Sequence, residues 1–227
     1  MRYRSKRQYI WSENIAYAVG LIASDGCLQS DGRHLDLTSA DIEQLENFIK
    51  AIGRPLKITK KFNSSGQPAS RVQFGDVAFY DFLLNAGITP RKSSTLQPTI
   101  IPDRYYADFL RGLFDGDGTC YGYNDPRWPT SFLFYTGFTS ASKKFLEYIC
   151  EKNYQLILLK GSSIRKSSRA YSLMYGKSDS YLLYKFLYYN SSVLCLNRKK
   201  QKLEGFMQKD LMVESKLPAR VVKSVNT

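Results

Sequence analysis

The chain has 227 residues, 43% of them hydrophobic and 14% aromatic, which is enough to bury a sizeable core and rules out a disordered polymer. Thirty-three Lys and Arg against twenty Asp and Glu leave a net charge of +13, pointing to a polyanionic partner, nucleic acid before an anionic membrane surface. A single histidine and four cysteines without CxxC spacing exclude a zinc site of the usual kind, so any hydrolytic chemistry must rest on carboxylates, lysines and an oxygen-bound metal.

The N-terminal stretch MRYRSKRQYIW is basic, but no apolar segment of signal-peptide type follows it, and no apolar run reaches the ~18 residues of a membrane span. An intracellular protein is expected, in the cytoplasm of a prokaryote or in an organelle, and not a secreted one. AYAVGLIASDGCL, around Asp25, reads as a helix ending at Asp-Gly. A short strand over Cys27 to Gln29, a turn at Asp31-Gly32 and an alternating strand from His34 to Thr38 come next. In SADIEQLENFIKAIG, Ile42, Leu45, Phe48, Ile49 and Ile52 recur at helical spacing, and Gly53 ends the helix. LKITKKF and SRVQFG alternate as strands joined by a loop at Asn63-Ser64-Ser65-Gly66, and DVAFYDFLLNAG is a helix with Asp76 as its N-cap.

ITPRKSSTLQPTIIP, stiffened by three prolines, then links to a second pass through the same order. DFLRGLFDGDGTC surrounds Asp117, and Tyr121 and Tyr123 lie on the next strand. SFLFYTGFTS forms the strand after that, and SASKKFLEYICEK is a helix. Strands are expected near Gln155 to Arg165 and Arg169 to Tyr175, and a helix over SDSYLLYKFLYY. Asp25 and Asp117 stand 92 positions apart, each heading an αββαββα unit. The expected fold is α+β, with two pseudosymmetric halves, each a four-stranded antiparallel sheet. The halves span 1–95 and 103–208, with a linker at 96–102 and a tail at 209–227.

Gly20 and Ser24, like Gly112 and Gly116, sit four apart on one helix face, so two such helices can approach closely. Packed together, they set Asp25 beside Asp117, and two adjacent carboxylates call for divalent cations. Gly26 and Gly118 suit the sharp exit from helix to strand.

AVGLIASDG (18–26) and LRGLFDGDG (110–118) resemble the paired motifs of the LAGLIDADG homing endonucleases, and the resemblance extends over residues 15 to about 205. It implies that Asp25 and Asp117 bind the catalytic metals, Mg²⁺ with Mn²⁺ as substitute, and that the carbonyls of Ser24 and Gly116 add ligands. Ala23 departs from the motif, which often has an acid there; the second copy has Asp115. GITPRKS (87–93) and CLNRKK (195–200) resemble the segments closing each half, making Lys92 and Lys199 the counterparts of active-site lysines. Arg198 and Lys200 compete with Lys199 for that role. Ser39 and Ser140, at matching positions, correspond to polar residues at the periphery of the active site. The resemblance further implies a DNA-binding saddle, cleavage across the minor groove with short 3′ overhangs, and a role in intron or intein mobility.

Strand alternation assigns the remaining side chains. In the first half Leu35, Leu37, Leu56, Ile58, Phe62, Val72 and Phe74 should face the helices. Gln29, His34, Asp36, Thr38, Lys57, Thr59, Lys61, Arg71 and Gln73 are then left to meet DNA. In the second half Phe132, Phe134 and Phe138 should be core. Tyr121, Tyr123, Leu133, Tyr135 and Thr139 lie open, and Arg165, Lys166 and Arg169 cluster at a hairpin tip. A strand of about eight residues spans ~26 Å, so two such faces end to end cover roughly two turns of duplex.

With both motifs in one chain, a monomer acting on double-stranded DNA is expected, without membrane or small-molecule substrate. Two rivals stay open. One is a LAGLIDADG-derived regulator or RNA maturase that binds without cutting, separable by a metal-loaded cleavage assay. The other is an intein nuclease domain, disfavoured by Met1 and the ending VVKSVNT, which lack the residues of protein splicing.

Overall fold

The computed structural model describes residues 8–62, 66–92, 95–127 and 131–215. Helix α1 (Glu13–Asp25) starts at Ser12, whose hydroxyl accepts from the Ile15 amide, and runs into β1 (Gly26–Leu28) and β2 (His34–Ser39). Helix α2 (Ile42–Ile52), β3 (Ile58–Phe62), β4 (Pro68–Gly75) and α3 (Val77–Asn85) complete the first half. Asp76 caps α3 by accepting from the Phe79 amide. A 3-10 turn at Asp103–Tyr105 leads into α4 (Tyr106–Asp117), β5 (Gly118–Asn124), β6 (Phe132–Ser140) and α5 (Lys143–Ile157). The chain then follows β7 (Ser162–Lys166), β8 (Tyr171–Tyr175), α6 (Lys177–Leu187) and a long α7 (Asn197–Ser215).

The strands form two four-stranded antiparallel sheets of the same topology, β1-β2-β4-β3 and β5-β6-β8-β7. Helices cover one face of each sheet and leave the other open. In α1 every residue from Ile15 to Ala23 is buried, on all sides of the helix, because α1 is the interior element against which α4 and the first sheet both pack. The core is continuous from the first half through α1 and α4 into the second. A smaller cluster of Phe132, Phe134 and Met207 lies under α7.

Several expectations change. The strand expected from Gln155 begins at Ser162, because α5 continues to Ile157 and stops at Leu158, which takes a left-handed φ of 57° and donates its N–H to the Tyr154 carbonyl. No glycine marks that stop, so helical periodicity had nothing to interrupt it. Phe62, expected to face the helices, is 70% exposed, since it is the last residue of an edge strand and pairs only with Pro68. Gly26 and Gly118 have extended, negative φ (−82° and −72°), so left-handed freedom is not what they supply. Space is: a Cβ at Gly118 would lie 2.3 Å from the Phe114 carbonyl oxygen, and one at Gly26 2.7 Å from the Ile22 Cα. Helix α7 runs across the expected boundary between the second half, ending at 208, and the tail, beginning at 209. The expected turn residues 63–65, the end of the GITPRKS segment at Ser93, and tail residues 216–227 lie outside the described residues.

Candidate active site and nucleic-acid interface

The site begins with two glycines. A Cβ at Gly20 would sit 2.1 Å from the Phe109 carbonyl oxygen, and one at Gly112 would sit 2.1 Å from that of Tyr17. Only glycine lets α1 and α4 come this close. One turn further on, a Cβ at Gly116 would sit 1.9 Å from the Ser24 hydroxyl and 2.8 Å from Asp25 Oδ2, so the two helix ends stay in contact where each reaches its acid.

Burial raises the carboxyl of Asp25, opposed by a hydrogen bond from Gln44 and by the charges of Lys199 and Lys92. Asp117 is pushed up to about 6, first by burial and then by the negative charge of Asp25, with both lysines opposing. Two acids that hinder each other's ionisation form a donor pair suited to a hard divalent cation. Among the described residues no group of three or more Asp, Glu, His or Cys side chains gathers around a common point. The fit for a cation therefore rests on this pair and nearby carbonyl oxygens. Mg²⁺ tolerates so sparse a set because it keeps water and takes phosphate oxygens.

The lysines arrive from the segments that follow each unit's last helix, α3 and α6. Lys92, 6% exposed, follows Arg91, whose φ of 57° is left-handed, and donates to the Ser24 carbonyl at 3.2 Å. Lys199, 8% exposed, donates to the carbonyls of Phe114, Gly116 and Gly118 at 2.8, 2.8 and 2.7 Å. Burial lowers the pKa of both below the ordinary lysine value, and Asp25 and Asp117 act against that fall. Arg198 instead forms a two-point ion pair with Asp41, and the Lys200 ammonium sits over the Tyr188 ring. A cavity of about 300 Å³ brings together Ser24, Lys92, Asp117, Thr139 and Ser140.

Two residues at the site were not singled out in the sequence. Gln44 donates to Asp25 Oδ2 at 2.7 Å and accepts from the Ser39 hydroxyl at 2.8 Å, which holds the carboxylate in one orientation. The position matching Gln44 after Ser140 is Phe145, which cannot donate, so the two acids are supported unequally. A polar side chain on the buried face of α2, five residues after Ser39, was the available signal. The other is Tyr17, whose hydroxyl donates to Asp115 Oδ2 at 2.7 Å. The Leu196 amide donates to the same oxygen at 2.7 Å, so Asp115 joins α1, α4 and the chain leading to α7.

No protein-family model and no curated protein matches the chain. Solved structures do. The homing endonuclease I-WcaI bound to its DNA recognition sequence is similar at a TM-score of 0.61 and 15% identity, over 87% of this chain and 89% of that one. The LAGLIDADG meganuclease I-AabMI bound to uncleaved DNA is similar at 0.60 and 12%, over 89% and 92%. This is the single-chain, two-motif LAGLIDADG fold. Full-length DUF199/WhiA from Thermatoga maritima is also similar, at 0.58 and 14% identity; the match takes in 96% of this chain and spans 66% of that longer one.

On this LAGLIDADG fold the open face of the first sheet carries Asp36, Thr38, Thr59, Lys61, Arg71 and Gln73, with Lys57 just ahead of β3. Thr38, Arg71 and Thr59 form one cross-strand row, and Lys61 reaches Thr38. Two candidates are less available than expected. Asp36 is buried between its strand neighbours and accepts from Gln29, and His34 is paired with Asp31 at the sheet's end. On the second sheet Tyr121, Tyr123, Tyr135, Thr139 and Arg165 face outward. Lys166 shares the parity of Ile164, which packs on the core, so it belongs to the helix side of β7 and reaches solvent only at the strand's end. Arg169 is exposed in the turn beyond it. Among the described residues no helix is long and apolar enough to cross a membrane.

Proposed function

We propose that the chain is a site-specific, double-strand DNA endonuclease that acts as a monomer on a long, asymmetric target and initiates intron mobility. One observation carries the reading: Asp25 and Asp117 meet at the ends of two helices in van der Waals contact, with a buried lysine beside each. Asp25 and Asp117 are the residues that would hold Mg²⁺, or Mn²⁺ in its place, with the carbonyls of Ser24 and Gly116 nearest to help. The ion would supply Lewis acidity and activation of water.

The chain's own residues do the rest. Lys92 and Lys199, both buried, place positive charge where a scissile phosphate gains negative charge. Gln44 keeps Asp25 from rotating. Lys57, Lys61 and Arg71 of the first sheet, and Arg165 and Arg169 of the second, set the register of the duplex through its phosphates.

A second reading, binding without cleavage, draws on a specific feature. The Ser24 and Gly116 carbonyls each accept from a lysine ammonium group. One experiment separates the two. A randomised duplex library is exposed to the chain with Mg²⁺, and the cleaved sequences are recovered. Asp25→Asn and Asp117→Asn should abolish cleavage of the selected duplex while changing its affinity less than about threefold, because affinity comes from phosphate and base contacts made elsewhere. A cleaving Asp25→Asn or Asp117→Asn chain would remove the proposal. Binding without cleavage by the wild-type chain would establish the second reading.

A further inference from the structure

The two open sheet faces differ in chemistry. On the first, the strands present Thr38, Lys61, Arg71 and Gln73. On the second, the outward positions of β5, β6 and β8 present Tyr121, Tyr123, Leu133, Tyr135 and Met174. Among the described residues Arg165 is the one charged side chain on the outward positions of that sheet's strands. The tyrosines are ordered: the Tyr135 ring stacks with Tyr121 at 5.2 Å and 22°, and with Tyr123 at 6.4 Å and 12°. Tyr121 and Tyr123 remain 47% and 44% exposed beside a depression of about 420 Å³ bounded by Ser163, Arg165 and Met174.

Rings stacked on one another have already engaged their faces, and Tyr135 stacks with two neighbours. Such a row offers edges, so inserting an unpaired base would first have to break it. Apolar edges set in the major groove meet hydrogen-bonding groups on every base, which they would strip of water without replacing. Thymine, besides its O4 acceptor, alone presents an apolar group there, the C5-methyl, whose burial offsets that cost. Arg165 and Arg169, at the margin of the same face, are placed for phosphates.

We infer that the second half selects thymine, its tyrosine, leucine and methionine surface packing on C5-methyl groups in the major groove. This rests on the reading of the chain as a binder of duplex DNA, whether or not it cuts. The first half, by contrast, reads its half-site through polar and charged side chains.

The test uses the full chain with chelator present, so that binding is followed without cleavage. Duplexes bound from a randomised library are sequenced, and each thymine of the selected site is replaced in turn by deoxyuridine, which removes only the methyl. Thymine should be enriched in one half of the site. Deoxyuridine there should weaken binding about fourfold for each methyl lost, and deoxyuridine in the other half should change it less than about twofold. Tyr121→Ser with Tyr135→Ser should abolish the penalty in the sensitive half, and Tyr135→Phe, which keeps the ring, should preserve it. Should the serine variant fail to fold, the wild-type deoxyuridine series and Tyr135→Phe still decide. A selected duplex with no thymine preference, or no deoxyuridine penalty in either half, overturns the inference and leaves the nuclease proposal standing. If no duplex is selected at all, both fall. Single-stranded DNA or RNA competing better than the selected duplex would show that the tyrosines stack on unpaired bases instead.

Discussion

Replacing Gly20 by alanine tests the contact on which the whole site depends. The new methyl would lie 2.1 Å from the Phe109 carbonyl oxygen, 2.7 Å from the Leu113 nitrogen and 3.0 Å from the Gly112 carbonyl carbon, all backbone atoms of α4. Backbone cannot swing aside as a side-chain end can, so ordinary contact returns only when the helices part by roughly 1 Å. Overpacking of this kind costs about 3 kcal/mol, the upper end of its usual range. Alanine recovers about 1 kcal/mol of helix propensity, leaving a net loss of roughly 2 kcal/mol. At ~3 °C per kcal/mol for a chain of this size, the melting temperature should fall by about 6 °C. Gly205, inside α7, is the control: nothing lies within 4 Å of a Cβ there, so Gly205→Ala should stabilise by up to about 1 kcal/mol. Gly20→Ala combined with Gly112→Ala should cost less than twice the single change, because helices already parted admit the second methyl more easily. Urea unfolding followed by circular dichroism gives the three free-energy changes, and a thermal scan gives the melting temperature. A Gly20→Ala chain as stable as wild type, or one gaining stability as Gly205→Ala does, would show that α1 and α4 are not in the contact described.

Lys92→Met and Lys199→Met should each slow cleavage by roughly tenfold to a thousandfold while weakening binding less, as read from single-turnover rates and gel-shift affinities. The two should differ in stability: Lys199 serves three carbonyls and Lys92 one, so only Lys199→Met should lose about 1–3 kcal/mol on unfolding. Equal loss of rate and affinity would recast both as phosphate anchors. Gln44→Leu frees Asp25 and leaves Asp117 untouched, so cleavage should become unequal between strands and nicked duplex should accumulate; equal slowing of both strands would refute the positioning role. Chelator should stop cleavage and Mg²⁺ or Mn²⁺ restore it, without a requirement for Zn²⁺. Turnover in excess chelator would sink the metal mechanism.

The repeated motif, the order αββαββα, the burial of Leu35, Leu37, Val72 and Phe74, and the cap at Asp76 were legible in the sequence. Each is a local pattern whose period or spacing directly reflects backbone geometry. Small residues four apart likewise announced a close helix pair, because nothing larger than hydrogen fits at Gly20 and Gly112. What the tertiary structure decided is of another kind. Lys199 is one of three consecutive basic residues, and only the path of the chain into α7 turns Arg198 toward Asp41 and Lys199 toward Gly116. The helical extension through Ile157 and the pairing of Gln44 with Asp25 depend on partners distant in sequence. So does the tyrosine row, which needs β5 and β6 in one register before the rings can stack. Periodicity records which face of an element is buried, whereas the neighbour waiting on that face is set by packing between segments that share no local code.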